Sequence, residues 1–159
     1  MKRYKINRAA YSLIHTLMAN PTAPMPLHKR THQLTAMWQG LASIESGSAP
    51  TRNDWRACSD AVNLMETLLV QGHVTDPQGL LQDAVTALAL AGKRAMAGHT
   101  IRLDGPGITA VRSVLEDYAS VLEQLPERTI TQAHRTTEHR MRAIQRGKRQ
   151  AHDVEVIAL

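Results

Sequence analysis

The sequence predicts an all-α fold, a single-domain bundle of five to six helices, on three observations. Apolar residues recur at three- and four-residue spacing through successive segments of 15–20 residues. Pro and Gly cut those segments apart at 21–26, 47–50, 72–77, 98–107 and 126. Phe is absent and aromatics make up 3% of the chain, so packing falls to Leu, Ala, Met, Val and Ile, of which Leu, Ala and Met are strong helix formers. A length of 159 residues suits one domain, and a hydrophobic fraction of 43% supplies a core.

Residues 7–19 read as a first short helix, with Ala10, Leu13, Ile14, Leu17 and Met18 on its apolar face. The basic residues at 2–5 ahead of it loosely imitate a signal peptide. Ser12, His15 and Thr16 interrupt the apolar run, however, and the stretch reads as mature protein. Pro21, Pro24 and Pro26 then make a stiff, extended connector, dividing a helix-and-connector segment (1–26) from the bundle domain (27–159).

A second helix is predicted from 27 to 46, with Leu34, Met37, Trp38, Leu41 and Ile44 as its seam. Thr51-Arg52-Asn53-Asp54 resembles a capping box with Asp in place of Glu, opening a third helix through Trp55, Cys58, Val62, Met65 and Leu69. Gly72 stops it. Asp76-Pro77 reads as an N-cap followed by proline at the first helical position, so the fourth helix spans 77–97. Its middle, 84–91, is apolar nearly all round, which predicts a central position. Asp104 or Gly105 caps a fifth helix with Ile108, Val111, Leu115, Tyr118, Leu122 and Leu125 on one side. Pro126 turns the chain into a sixth, 127–147. Residues 100–103 and the alternating tail at 154–158 leave room for a short two-stranded ribbon.

The charge is unevenly distributed. Net charge is +5, yet 1–30 holds six basic residues and no acid, and 127–150 holds seven basic residues against two acids. Such asymmetry points to an anionic partner. On a helical wheel at about 100° per residue, Arg135, His139, Arg142 and Arg146 fall within roughly 40° of Arg128. Ile130, Ala133, Thr137, Met141 and Ile144 fall on the opposite side. With Lys148 and Arg149 beyond the helix, and Lys29 and Arg30 from the N-terminal cluster, these are the candidate residues for contacting nucleic acid or an acidic protein surface. Arg forks onto phosphate or carboxylate at two points, which a solvated lysine does not. A basic helix face is equally common as plain solvated surface, and both readings stand at this stage.

No pattern with catalytic or metal-binding spacing emerges. His28 and His32 share a helix face but have no third ligand nearby, and Lys29 and Arg30 repel a cation. The run from His134 to His139 lacks the HExxH spacing. Asp104-Gly105-Pro106-Gly107 lacks the phosphate-loop spacing and reads as a capped turn. Cys58, the sole cysteine, is expected on a packed seam, fitting a reducing cytoplasm. A helix-turn-helix between the third and fourth helices is disfavoured by a long linker and an apolar fourth helix. No cofactor, metal, membrane or small-molecule substrate is expected.

Three phrases carry a resemblance: Asp60-Ala61-Val62-Asn63-Leu64-Met65-Glu66-Thr67-Leu68, Gly79-Leu80-Leu81-Gln82-Asp83-Ala84, and Asp104-Gly105-Pro106-Gly107-Ile108. They resemble short, uncharacterised helical proteins encoded on proteobacterial prophages, plasmids and integrative elements. The resemblance covers most of the chain after residue 28 and brings no catalytic motif. It implies a non-enzymatic accessory role, such as regulating element genes or blocking a host defence complex. The two functional expectations are therefore a nucleic-acid-contacting protein and an anti-CRISPR-like inhibitor or adaptor acting on a host protein.

Overall fold

Six helices follow one another in the computed structural model, which describes residues 11–147: α1 (Leu13–Met18), α2 (Leu27–Ser46), α3 (Arg52–Val70), α4 (Leu80–Met96), α5 (Gly105–Gln124) and α6 (Glu127–Gln145). The expected all-α bundle is what forms. Lys148, Arg149 and the tail at 154–158 lie outside the described residues.

α3 is the axis of the bundle, packing against α2, α4, α5 and α6. The capping box that opens it is closed at both ends: Thr51 Oγ1 accepts the Asp54 N–H, and Asp54 Oδ2 accepts the Thr51 N–H at 2.7 Å. From there Trp55, Cys58, Val62, Leu64 and Leu68 are buried at 1% exposure or less. The centre was expected in α4, but α4 packs chiefly on α3 and α5 and leaves Leu90 exposed. Hydrophobic content misdirects here because α3 also buries Ser59, Asn63 and Thr67, whose polarity masks its position. Thr67 is accommodated by donating to the Asn63 carbonyl, with its Oγ1 2.6 Å from that of Thr137 on α6.

α2 and α3 approach closely at Gly40. A Cβ there would stand 2.6 Å from the Asp54 carbonyl oxygen and 3.3 Å from Ala57 Cβ. The first obstacle is backbone, so the helices themselves must part. Gly40→Ala is expected to lower stability by ~1–3 kcal/mol, in spite of alanine's better helix propensity. A urea titration showing a stabilised Gly40→Ala protein would contradict this close approach.

Two further boundaries differ from expectation. Asp76-Pro77 does not start α4; the chain first makes a turn with Gly79 in the left-handed region (φ 72°), and α4 begins at Leu80. Asp76 still serves the helix, its Oδ2 accepting the Leu81 N–H at 3.1 Å. Residues 100–103 form no strand. Ile101 is buried instead, and Arg102 reaches the C-terminal end of α2, donating to the carbonyls of Ile44 at 2.9 Å and Gly47 at 2.5 Å. Cation and helix end complement one another, so this segment is held by a side chain rather than a partner strand.

The N-terminal part is docked onto α6. Glu127 donates its N–H to the Ala23 carbonyl, Arg128 donates its N–H to that of Asn20, and Pro24 bridges Pro126. Met25 of the connector is part of the core. α1 is shorter than expected and its face is inverted. Thr16 is buried, whereas Leu13, Ile14, Leu17 and Met18, the expected packing face, are 57–82% exposed. Periodicity correctly says which residues share a face, but not what that face meets.

Candidate anion-binding face

α6 is entered from Pro126, whose fixed φ suits the N-cap, and runs without interruption to Gln145, two residues before Gly147 (φ 65°). Its inner seam is as expected: Ile130 and Ala133 are fully buried, and Thr137, Met141 and Ile144 are half-buried. Arg140, on the flank toward α3, pairs with Glu66 at 2.9 Å. The stripe opposite is real as geometry. His139 and Arg146 are exposed, and Arg128, Arg135 and Arg142 are half-buried.

The structure divides that stripe. Near its start, Arg128 donates to the carbonyls of Ala19 (3.3 Å) and Leu17 (3.2 Å), neutralising the C-terminal end of α1. Arg135 touches Thr16 Oγ1 at 3.5 Å. Farther along, Arg135, His139 and Arg142 line a shallow surface groove of about 400 Å³ with Gln132, Thr136 and Glu138. Among the described residues, Arg142 and Arg146 have no hydrogen-bond or ion-pair partner, and none of the four stripe arginines meets a carboxylate.

Several other cations are paired with acids, although Arg52 and Lys93 are not. Lys29 Nζ lies 2.8 Å from Glu127 Oε1, Arg30 lies 3.2 Å from Glu123, and Arg112 pairs with Glu45. Glu127 is nearly buried, and its second oxygen accepts the Asn20 N–H at 3.1 Å. The Lys29 hydrogen bond, helped by that N–H, holds the Glu127 carboxyl below the usual carboxylate range against the opposing effect of burial. Lys29 and Arg30 thus join α2 to α6 and α5, and do not extend the stripe.

A feature invisible in the sequence lies on the inner flank of α6. The Tyr11 ring stacks on His134 with centroids 4.4 Å apart and planes 4° from parallel. The Tyr11 N–H is directed at Glu138 Oε2, 3.4 Å away. His134 Nε2 is buried without a partner, and burial pulls the imidazole down to about 4. No local signal links two residues 123 positions apart; only the placement of α1 across α6 brings them together.

The face presents guanidinium groups that no carboxylate of the described residues neutralises. Cys58 is completely buried, and burial pushes its thiol up to about 12, so it is no nucleophile at neutral pH. No group of three or more His, Cys, Asp or Glu among the described residues is placed to hold a metal ion. No described helix is long and apolar enough to cross a membrane. No protein-family model matches the chain, and no curated protein or solved structure matched it.

Proposed function

We propose that the chain is a non-enzymatic binding protein that grips the phosphate backbone of a nucleic acid, free or within a nucleoprotein complex, with the distal half of α6. The observation that carries this reading is that three arginines without an acid partner share one face of α6, whereas Arg52 and Lys93, also without one, stand on different helices. Lys29, Arg30, Arg112 and Arg140 are matched by acids of the same chain, whereas Arg135, Arg142 and Arg146 are not. A stripe that served only to solvate the surface would be expected to recruit nearby carboxylates. Glu138 stands beside the groove and is directed at the Tyr11 N–H instead.

Arg135 to Arg146 spans about 16 Å along the helix axis, a length suited to several consecutive phosphates. Tyr11 borders the groove, but its ring is engaged by His134, so backbone contact is favoured over base stacking. Three phosphate contacts give a salt slope of about −3 in log–log terms on duplex DNA. The resemblance of the three sequence phrases extends the proposal to an accessory protein of a bacterial mobile element.

The test is fluorescence anisotropy with a labelled DNA duplex and a labelled single-stranded RNA, titrated with salt. Arg142→Glu combined with Arg146→Glu is expected to weaken the complex about a hundredfold and flatten its salt slope by about two. Neither residue has a hydrogen-bond or ion-pair partner among the described residues, so the charge reversals break no internal pairing. A complex with unchanged affinity sinks the proposal, and so does a native protein that binds neither probe.

A further inference from the structure

The outward face of α6 carries more than its arginines. At about 100° per residue, Arg135, Arg142 and Arg146 follow one edge of that face and Gln132, Ala143 and Thr136 the other, with His139 between them. No acid falls on this arc of about 120°. Glu138 lies beyond the arginine edge and is directed at the Tyr11 N–H. Gln132, Thr136 and His139 are exposed. The side chains of Gln132 and His139 have no hydrogen-bond or ion-pair partner among the described residues. Thr136 donates its hydroxyl to the Gln132 carbonyl and accepts from Gln71 Nε2, which leaves its methyl group for an outside contact. A cationic edge holds phosphates, and a parallel edge of amide, imidazole and methyl groups has the chemistry that reads bases.

The remaining surface narrows the kind of nucleic acid. Trp55 and Tyr118 are buried, Trp38 packs against the core, and Tyr11 is stacked on His134. Among the described residues, therefore, no aromatic ring is placed to stack an unpaired base, as single-strand binding favours. α1 flanks the face only toward its start, where Arg128 and Arg135 meet it. From Gln132 to Arg146 the face runs about 21 Å as a straight rod. The major groove of B-form DNA, about 12 Å wide, admits an α-helix, whereas the deep, narrow major groove of A-form RNA does not.

We propose that α6 enters the major groove of duplex DNA, with its arginine edge on the phosphates and Gln132, His139 and Thr136 against base edges. The Gln132 amide both donates and accepts, as the N6 and N7 positions of adenine require, and the Thr136 methyl suits that of thymine. This inference rests on the phosphate-gripping role proposed above and adds to it the form of the nucleic acid and the groove.

The test presents one short sequence as DNA duplex, RNA duplex, single-stranded DNA and single-stranded RNA, each labelled for anisotropy. The DNA duplex is expected to bind at least about tenfold more tightly than the other three. Methyl green, a major-groove ligand, is expected to displace the protein, and netropsin, a minor-groove ligand, is not. Selection from DNA duplexes with randomised centres is expected to enrich a motif containing an A·T pair. On that motif Gln132→Ala is expected to weaken binding about tenfold and to relax the preference at that pair. Its salt slope stays unchanged, because an uncharged side chain releases no counterion. The Gln132 side chain is exposed and holds nothing else in place, so the variant folds. Equal or tighter binding of any of the other three forms overturns the inference and leaves the phosphate-gripping role intact. Displacement by netropsin, none by methyl green, no enriched motif, or indifference of the motif to Gln132→Ala does the same. No binding of any form, or a complex that survives Arg142→Glu with Arg146→Glu, defeats the phosphate-gripping role and this inference with it.

Discussion

Replacing Trp55 with alanine is expected to lower folding stability by about 3–5 kcal/mol, the largest effect of any single side-chain truncation considered for this chain. Trp55 is 1% exposed in the first turn and a half of α3, the helix that touches four others. Its indole Nε1 also donates to the Leu88 carbonyl in α4 at 2.9 Å, tying two helices through one buried hydrogen bond. Trp55→Phe separates these contributions. It keeps most of the ring and loses the donor, while the Leu88 carbonyl, mid-way along α4, retains its place in the helical ladder. That variant is expected to cost only ~1–2 kcal/mol. Urea titrations followed by circular dichroism check both, with an unchanged slope showing that the unfolding transition itself is the same. A loss below about 1 kcal/mol for Trp55→Ala would mean that the cavity collapses and that the α3–α4 contact rests on other residues.

The parts of the fold that were legible in the sequence are those whose cause is local. α2 begins after Pro26 and ends before Gly47 as expected, because proline and glycine act within a residue or two. The Thr51–Asp54 box and the Asp104 cap likewise need only three neighbouring residues, and Asp104 Oδ1 accepts the Gly107 N–H as that logic requires. Where the cause is remote, the reading failed. Asp76 looked like an immediate N-cap, but Gly79 takes up a turn between it and the helix, and the capping bond spans five residues. Arg102 was part of a notional strand until α2 offered it the end of a helix more than fifty residues away. The same distinction holds at the candidate site. The arginine stripe lies on one helix and can be drawn on a wheel. Which of its members are engaged cannot, since Arg128 is held by carbonyls at 17 and 19, and Lys29 by Glu127. α1 shows the limit most clearly: its apolar periodicity is genuine, and its face is nonetheless turned to solvent.

The second large effect is acid sensitivity through His134. Burial lowers the imidazole from an ordinary value near 6.5 to about 4 in the folded chain, and its Nε2 has no partner to receive. Between those two values the unfolded chain takes up a proton that the folded chain refuses. Stability therefore rises with pH in that window, is complete above about 6.5, and declines as pH falls toward 4. The full loss amounts to about 3 kcal/mol. Groups with lowered carboxyl values, Asp54 and Glu127, act at lower pH, where protonation removes their hydrogen bonds to Thr51 and Lys29. Asp60, beside His134, has its carboxyl raised by burial and acts with the opposite sign as pH falls, so between pH 7 and pH 5 the comparison with a His134 variant, rather than the pH interval alone, isolates the histidine. His134→Phe preserves a ring for Tyr11 to stack on and removes the titration. Its stability is expected to change little over that interval, while the native chain loses up to about 2 kcal/mol. Because Tyr11 anchors the start of α1, the acid-induced loss should be accompanied by faster amide exchange across 12–18 in the native chain and not in the variant. Parallel stability curves for the two proteins from pH 7 to pH 5 would show that His134 is as free to protonate in the folded chain as in the unfolded one, and that its stack with Tyr11 leaves room for the charge.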